Sequence, residues 1–273
     1  MTAERRGVVA IAGAALLWST GGIGIKAVAA PPLAIACWRS AIAAVALIAF
    51  FRPRVRPTPA FLGAVVCYAA TLTTFVVATK WTTAANAIFL QYSGVVWVLA
   101  LAPVVLGEPF RARDAIAIAV AFGGMALFFV GKLDAPGRTG DLVALVSGVF
   151  FAGLVLLLRL ERGPGAEAAV SWGNVLTAVV LLPFVWGGGV VDARSAAILL
   201  FLGVVQIAGA YVLFVHGLAH VGATEAALVG MLEPVANPVW VFLVLGERPS
   251  VFAALGGAIV LSAIAWRTLG ERP

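Results

Sequence analysis

The chain consists largely of ten continuous apolar runs, each about as long as a helix that crosses the hydrocarbon core of a bilayer. Short stretches that contain charged residues, proline or glycine separate these runs. Because lipid offers no hydrogen-bond partner to a free backbone amide, runs of this kind fold as α-helices. The sequence therefore predicts an all-α integral membrane protein. Its predicted spans cover residues 7–29, 33–51, 60–79, 84–105, 114–131, 141–158, 166–186, 195–216, 223–245 and 251–266.

The composition excludes an ordinary soluble domain. Hydrophobic residues make up 63% of the chain and charged residues only 11%. The net charge of +6 would suit a nucleic-acid-binding protein. The basic residues lie singly or in short clusters between apolar runs, however, where they act as orientation signals of membrane proteins. We therefore expect the lipid bilayer and a small-molecule substrate as partners, and no nucleic acid.

A repeated tripeptide indicates an internal duplication. Leu-Gly-Glu ends an apolar run at residues 106–108 and again at 245–247, which is 139 residues later in a chain of 273. The predicted repeats are residues 1–136 and 137–273, with five spans each. Because a unit of five spans begins and ends on opposite sides of the membrane, its copy must run the other way. The sequence thus predicts two inverted five-helix repeats, ten transmembrane helices in all, around a central cavity.

The distribution of basic residues predicts the orientation of these spans. With a cytoplasmic N-terminus, eleven arginines lie on the cytoplasmic side and five lysines or arginines on the other, and Arg52, Arg54 and Arg56 carry most of the difference. The positive-inside rule then places both termini in the cytoplasm. Glu108 falls at the cytoplasmic face and Glu247 at the outer face. At these helix ends we expect both to bond backbone groups rather than substrate.

Charged side chains within the spans are the first candidates for function, since each costs roughly 2.5–3.5 kcal/mol at the centre of a membrane helix. Glu233 is the deepest, and Pro234 after it predicts a kink that frees backbone carbonyls. Glu233 could bind a cation or a proton, or could accept a structural hydrogen bond at the kink. Asn237 shares its helix face. For Arg39, a structural ion pair or a side chain that reaches the interface is the favoured interpretation.

Aromatic and polar side chains recur together in the first, third, fourth, sixth and eighth spans. A mixed wall of this kind suits an amphipathic solute of modest size. The alternative is that the polar groups hold helices together within the bilayer. Thr71, Gln91, Ser147 and Phe151 belong to this pattern. The residues predicted to line the cavity are Trp18, Ser19, Thr20, Thr74, Phe75, Asn86, Phe89, Tyr92, Phe150, Gln206, Tyr211, Phe214, Glu233 and Asn237.

In their order and spacing, several features resemble the drug/metabolite transporter superfamily, in particular its ten-helix, EamA-type members. They are Trp18 with its small polar neighbours, residues 32–39, Tyr211 with Phe214, Val-Gly-Ala at 221–223, Glu233-Pro234 and Gly246-Glu247. The resemblance implies a carrier whose spans 1, 3, 4, 6, 8 and 9 surround a cavity while spans 5 and 10 sit apart. It also implies a monomer or a homodimer, and bacterial relatives that export amino acids or other metabolites. Gly173 stands where the first half has Arg39, so a role of Arg39 need not be symmetric.

These features predict a secondary transporter in the inner membrane of a bacterium that works by alternating access. The expected substrate is an amino acid or a similar small metabolite, with aromatic and hydrophobic amino acids among the candidates, and the expected direction is outward. Substrate and direction both rest on the resemblance. The sequence contains no phosphate-binding Gly-x-x-x-x-Gly-Lys-Ser/Thr loop, and we expect no cofactor, no metal and no enzymatic activity. The alternative is a broad exporter of cationic drugs or other metabolites, with Glu233 as the counter-charge. A channel or an intramembrane enzyme ranks lower.

Overall fold

The computed structural model describes residues 2–127, 137–185, 192–245 and 250–269. Regular structure in these residues is helical throughout, and none of them forms a strand. One segment, Leu202–Gly209, is a π-helix that continues into α-helices at both ends. The α-helices are α1 (Ala3–Trp18), α2 (Gly21–Ala27), α3 (Pro32–Phe51), α4 (Pro59–Trp81), α5 (Ala84–Gln91), α6 (Gly94–Leu106), α7 (Ala112–Ala126), α8 (Arg138–Val185), α9 (Ala193–Phe201), α10 (Ala210–Leu218), α11 (Ala223–Gly230), α12 (Leu232–Leu245) and α13 (Val251–Leu269).

Seven helical segments are long and apolar enough to cross a membrane. They are α1 with α2, α3, α4, α5 with α6, α8, α9 through α10, and α13. The longest, α8, contains 48 residues and leaves the helical conformation at Arg162 and Gly163, which have φ angles of 48° and 43°. Pro164 follows and cannot donate a helical hydrogen bond. This kink lies between the predicted spans 141–158 and 166–186.

The first predicted span is broken near its middle. α1 ends at Trp18 and α2 begins at Gly21. At the break, the Ser19 hydroxyl donates to the carbonyl of Leu16 at 2.6 Å, and the Thr20 hydroxyl donates to the carbonyl of Leu17 at 2.7 Å. Hydroxyl groups that bond nearby carbonyls compete with the helical hydrogen-bond pattern. The small polar pair therefore marks a discontinuity beside Trp18.

Two further helices are broken, and the sequence repeat relates them. Tyr92 and Ser93 separate α5 from α6, and Met231 separates α11 from α12. A shift of 139 residues converts the bounds of α5 into those of α11 and the end of α6 into that of α12. The duplication seen in the sequence is therefore also present in the helix boundaries.

Close backbone contact holds the centre of the bundle. α4 and α8 form the most extensive helix pair, and α3 and α6 also pack against α8. A Cβ atom added to Gly94, the first residue of α6, would lie 2.4 Å from the carbonyl oxygen of Gly148 in α8. Only glycine allows this approach, which is a common device where helices pack in membranes. It brings the end of α5 against α8.

α7 packs mainly against α13, and this pair corresponds to the predicted fifth and tenth spans. A Cβ atom at Gly256 would lie 2.3 Å from the carbonyl oxygen of Gly124. Arg267 Nε also bonds Asp114 Oδ1, and both side chains are buried. A glycine contact and an ion pair therefore join these two helices.

Candidate functional site

A cavity lies where helices from both halves of the chain meet. α1, α3, α4 and α5 contribute from the first half, and α8, the π-helical segment, α10 and α12 contribute from the second. Its wall combines aromatic, amide and hydroxyl groups with one cation and one anion. The lining residues are Trp18, Arg39, Thr71, Leu72, Phe75, Gln91, Phe151, Gln206, Ile207, Tyr211 and Glu233.

The anion, Glu233, lies at the start of α12, immediately after the break. Pro234 has no N–H to donate to the carbonyl of Gly230 four residues earlier. The Tyr92 hydroxyl, from the corresponding break of the first half, fills that place at 2.6 Å from Gly230 O. It also lies 2.9 Å from Glu233 Oε2. This confirms the prediction that Pro234 frees a carbonyl, and it joins the two breaks beside the cavity.

Glu233 retains capacity to accept hydrogen bonds. A tyrosine hydroxyl has a single hydrogen, which Tyr92 shares between the Gly230 carbonyl and the Glu233 carboxylate. An ionised carboxylate offers about four acceptor positions. The side chain is 6% exposed and faces the cavity. A ligand with N–H donors could therefore bond Glu233 without displacing Tyr92.

The cation, Arg39, lies in the middle of α3 and is 1% exposed. Within the part of the chain that the structure describes, its Nε and Nη1 atoms have no hydrogen-bond partner. Glu233 interacts with it electrostatically, but no ion pair within 4.0 Å joins the two. The favoured interpretation from sequence is thus wrong. α4, α8 and the π-helical segment pack around α3, so the guanidinium stays buried and lines the cavity.

A steric reason explains why the second half has glycine at the position of Arg39. A Cβ atom at Gly173 would lie 2.6 Å from Cγ of the Tyr68 ring. Tyr68 is buried, its hydroxyl accepts a hydrogen bond from Asn174 Nδ2 at 2.7 Å, and its ring packs 4.7 Å from that of Tyr211. One half therefore uses this position for a charge, and the other uses it to admit an aromatic ring.

Aromatic rings form one side of the cavity. The Trp18 ring lies 5.1 Å from that of Tyr211 and 5.0 Å from that of Phe214. These distances are within the range of favourable edge-to-face and tilted contacts. Phe75 and Phe151 add further aromatic surface to the lining. The wall suits an apolar or aromatic group on a ligand.

Amide groups form the polar part of the wall. Gln91 Nε2 donates to Ser147 Oγ at 2.8 Å, and Ser147 Oγ donates to the carbonyl of Thr71 at 3.2 Å. Gln206 lies in the π-helical segment, an element that often occurs at functional sites. Its Nε2 donates weakly to the carbonyl of Trp18 at 3.4 Å, and its Oε1 has no partner among the described residues. Gln206 thus offers a second free acceptor.

The structure brings some of the predicted residues to the cavity and places others one layer behind it. Those in the lining are Trp18, Phe75, Gln206, Tyr211 and Glu233. Tyr92 and Phe214 lie behind the lining and hold Glu233 and Trp18 in place. Asn237 is buried, and its Oδ1 has no partner among the described residues. That these residues take part in substrate binding stays a prediction.

The remaining predicted residues do not line this cavity. They are Ser19, Thr20, Thr74, Asn86, Phe89 and Phe150. The hydroxyls of Ser19 and Thr20 donate to carbonyls of α1, and that of Thr74 donates to a carbonyl of its own helix α4. Ser19 Oγ also accepts from Trp240 Nε1 at 2.7 Å. Asn86 bonds Thr82 and Asp141 at one end of the bundle, Phe89 packs against Phe122, and Phe150 is half-buried. For these hydroxyl and amide groups, helix stabilisation describes the observed contacts.

Six lining residues are missing from the predicted set. Three of them, Thr71, Gln91 and Phe151, belong to the aromatic and polar pattern of the sequence but not to that set; the others are Arg39, Leu72 and Ile207. Leu72 and Ile207 are apolar side chains in apolar helices and carry no signal that the sequence could reveal. Arg39 does carry one, because a charge about seven residues into a span is costly. Its lack of a partner, which only the structure reveals, is what identifies it as a site residue.

Polar contacts join helices at the end of the bundle that carries the N-terminus, called here the N-terminal face. Gly7 touches the turn before α11 at this end. Glu108 accepts from Arg159 Nε at 2.8 Å and from the backbone amide of Ala223 at 2.8 Å. The prediction that Glu108 bonds backbone at a helix end is confirmed, and the amide belongs to the other half of the chain. Glu247 lies outside the described residues.

Other contacts join helices at the opposite face. Lys26 Nζ donates to the carbonyl of Thr82 at 2.7 Å, and Lys80 Nζ donates to the carbonyl of Val28 at 2.8 Å. Each lysine thus caps the C-terminal end of the helix that carries the other. The Thr82 hydroxyl donates to Asp141 Oδ1 at 2.7 Å. These bonds join the end of α4 to α2 and to the start of α8.

Metal-ligand side chains do not cluster in the residues that the structure describes, where no group of three His, Cys, Asp or Glu could hold an ion. His216 and His220 lie on the exposed side of the chain near the N-terminal face, with ring centroids 5.0 Å apart. His220 Nδ1 lies 2.8 Å from the carbonyl of His216. This pair is at a solvated helix end, away from the cavity.

Apolar helices of membrane-spanning length that surround a buried polar cavity define a multi-pass membrane transporter. The chain belongs to the EamA-like transporter family, whose model matches residues 5–130 and 138–268. The two matched segments agree with the duplication. Family membership also confirms the resemblance to the drug/metabolite transporter superfamily.

Similar proteins include an "Uncharacterized transporter" of Archaeoglobus fulgidus, 27% identical over 267 residues, which are 96% of this chain and 97% of that protein. A "Probable terminal-alkyne amino-acid exporter" of Streptantibioticus cattleyicolor is 29% identical over 264 residues, or 92% of this chain and 87% of that one. A crystal structure matches with a TM-score of 0.82 at 17% identity and covers 97% of both chains. That likeness shows the fold.

Proposed function

We propose that this protein is a secondary transporter that exports amino acids, with aromatic or hydrophobic ones preferred. The observation that carries the proposal is the cavity, in which Arg39 and Glu233 face one space beside Trp18, Phe75 and Tyr211. An amino acid combines a cation, an anion and a side chain, and each has a counterpart in this wall. The similarity to a probable amino-acid exporter supports the same substrate class.

We further propose ten membrane spans in two inverted repeats, residues 1–136 and 137–273. The kink at Gly163 divides α8 into two crossings, α7 supplies one, and α11 with α12 supplies another. The two broken helices support inversion. α5 begins next to Thr82 at the opposite face, whereas α11 begins at Ala223, which bonds Glu108 at the N-terminal face.

Bonds between helices at both ends of the bundle support alternating access. Those of Glu108 lie at the N-terminal face, and those of Lys26, Lys80 and Asp141 lie at the opposite one. If one set breaks at a time, the cavity opens to one side of the membrane only. The polar bonds are few and lie near the bundle ends, so each face can open without disturbing the central glycine contacts.

We propose that the protein lies in the inner membrane of a bacterium, with both termini in the cytoplasm. The excess of basic residues on the N-terminal side supports it. The N-terminal face is then cytoplasmic, and export runs from the side of Glu108 to the side of Asp141. A monomer is the simplest state for this cycle, and a homodimer stays the alternative.

A broad exporter of cationic drugs is the rival function. Glu233 could serve as counter-charge, but the buried and unpaired guanidinium of Arg39 shares the same cavity. A second positive charge there repels a purely cationic solute. A channel and an intramembrane enzyme rank lower because the chain belongs to a family of transporters.

Purified protein in liposomes tests the proposal. We expect saturable uptake of radiolabelled L-phenylalanine or L-leucine above that of protein-free liposomes. Imposed pH gradients in both directions show whether protons drive it. A parallel screen uses tetraphenylphosphonium and ethidium as organic cations. Transport of these cations without transport of any amino acid would refute the proposed substrate class.

A further inference from the structure

Two opposite charges face the cavity without neutralising each other directly. Arg39 leaves two nitrogen atoms without partners, and Glu233 shares only one tyrosine hydrogen with a neighbouring carbonyl. A buried, unpaired charge is costly, and proteins normally pair it or replace it. Its retention here points to a partner that arrives from outside the chain.

We propose that the cavity binds its substrate as a zwitterion, with the carboxylate on Arg39 and the ammonium group on Glu233. The inference rests on the proposed function and assigns the two ends of the substrate. Arginine presents N–H groups in a planar fork that matches a carboxylate. Two donor atoms of that group, Nε and Nη1, are without a partner among the described residues. Glu233 accepts from an ammonium group, and the Gln206 Oε1 is a second acceptor in the same wall.

The location of the charges gives the site a role in transport. Arg39 comes from α3 in the first half, and Glu233 comes from α12 in the second. A zwitterion that bonds both therefore bridges the two halves at the level of the broken helices. A molecule with only one of the two charges leaves the other buried charge uncompensated. The site accordingly selects for both charges rather than for either alone.

The test compares ligands that differ at one end. Purified protein in detergent is titrated with each proteinogenic L-amino acid, with L-phenylalanine as the expected binder, and the rise in melting temperature reports binding. The strongest binder is then compared with its amide, which lacks the carboxylate, and with its N-acetyl form, which lacks the ammonium group. We expect wild-type protein to bind each derivative roughly 100-fold more weakly, as when one partner of a buried charge pair is removed.

Variants assign each end to one residue. Arg39→Met should weaken binding of the amino acid roughly 100-fold and abolish its preference over the amide. Arg39→Lys keeps the charge but loses the planar fork of N–H groups. Its affinity for the amino acid should therefore lie between those of the wild type and of Arg39→Met. Glu233→Gln should abolish the preference over the N-acetyl form. Arg5→Met and Glu4→Gln, both exposed in the first turn of α1, are the matched controls.

Stability separates this role from a structural one. Without ligand, Arg39→Met should melt at or above the temperature of the wild type, because an apolar side chain replaces an uncompensated buried charge. A lower melting temperature with unchanged ligand preference would mean that Arg39 is a structural residue, and would overturn the inference alone. If wild-type protein bound and transported no amino acid, the proposed function would fall as well.

Discussion

Gly94→Ala is the substitution whose effect the structure defines most directly. The new Cβ atom would lie 2.4 Å from the carbonyl oxygen of Gly148, whereas ordinary contacts begin near 3.4 Å. α6 and α8 must therefore move apart by about 1 Å. Neither side of this contact can rotate away, because both atoms belong to the backbone or are fixed to it. The contact can therefore be relieved only by a shift of α6 relative to α8.

The displacement should also reach the cavity. Gln91, three residues before Gly94, donates to Ser147 of α8 at 2.8 Å. A separation of about 1 Å stretches this contact beyond hydrogen-bonding distance. Overpacking costs about 1–3 kcal/mol, and the lost hydrogen bond adds about 0.5–1.5 kcal/mol. The total is roughly 2–4 kcal/mol.

Thermal unfolding in detergent at a fixed heating rate measures the effect. We expect the melting temperature to fall by roughly 5–10 °C and amino-acid binding to weaken, since Gln91 lines the cavity. Gly123→Ala is the control, because its Cβ would meet no atom within 4 Å. It should be neutral or slightly stabilising. Equal melting temperatures for the two variants would refute the steric argument.

Three further substitutions test the closures and the joined breaks. Glu108→Gln should weaken the contacts of the N-terminal face by about 1 kcal/mol, because the ion pair of Glu108 with Arg159 is partly exposed. A cysteine introduced at Ala226, on a Cys37→Ala, Cys67→Ala background, should then react faster with a thiol reagent. An unchanged labelling rate would contradict this expectation. Asp141→Ala should weaken the contacts of the opposite face. An unchanged rate of thiol labelling for a cysteine introduced at that face would contradict this expectation. Tyr92→Phe should lower the melting temperature, because the buried Gly230 carbonyl and Glu233 carboxylate lose the hydroxyl hydrogen that they share, at a cost of about 1–3 kcal/mol. A melting temperature equal to that of the wild type would show that this shared bond contributes little.

The sequence predicted the helical class and the duplication well, because both follow from patterns that extend along the chain. Apolar runs of membrane length admit few folds, and a tripeptide repeated after 139 residues has its counterpart in the bounds of α5 and α11. The free carbonyl at Gly230 also followed from local chemistry, since Pro234 cannot donate to it. The position of the break, at Met231, did not.

The site was predicted less completely. Trp18, Phe75, Gln206, Tyr211 and Glu233 stand out in the sequence as aromatic or polar side chains in apolar helices, and they line the cavity. The hydroxyls of Thr20 and Thr74 stand out equally, yet they bond carbonyls three or four residues earlier in the chain. The sequence cannot separate these two groups, because residue type does not reveal which way a helix face points.

The sequence by itself determined that this chain is a membrane-embedded bundle of helices with an internal repeat, since continuously apolar runs of this length satisfy their backbone groups in lipid as helices. Only the tertiary structure decided which charged side chains line the same cavity. Arg39 and Glu233 are 194 residues apart in the chain, and neither pattern nor propensity connects them. Packing of α3 and α12 around one cavity brings them together, because the energy of buried charges depends on distance in space and not on order along the chain.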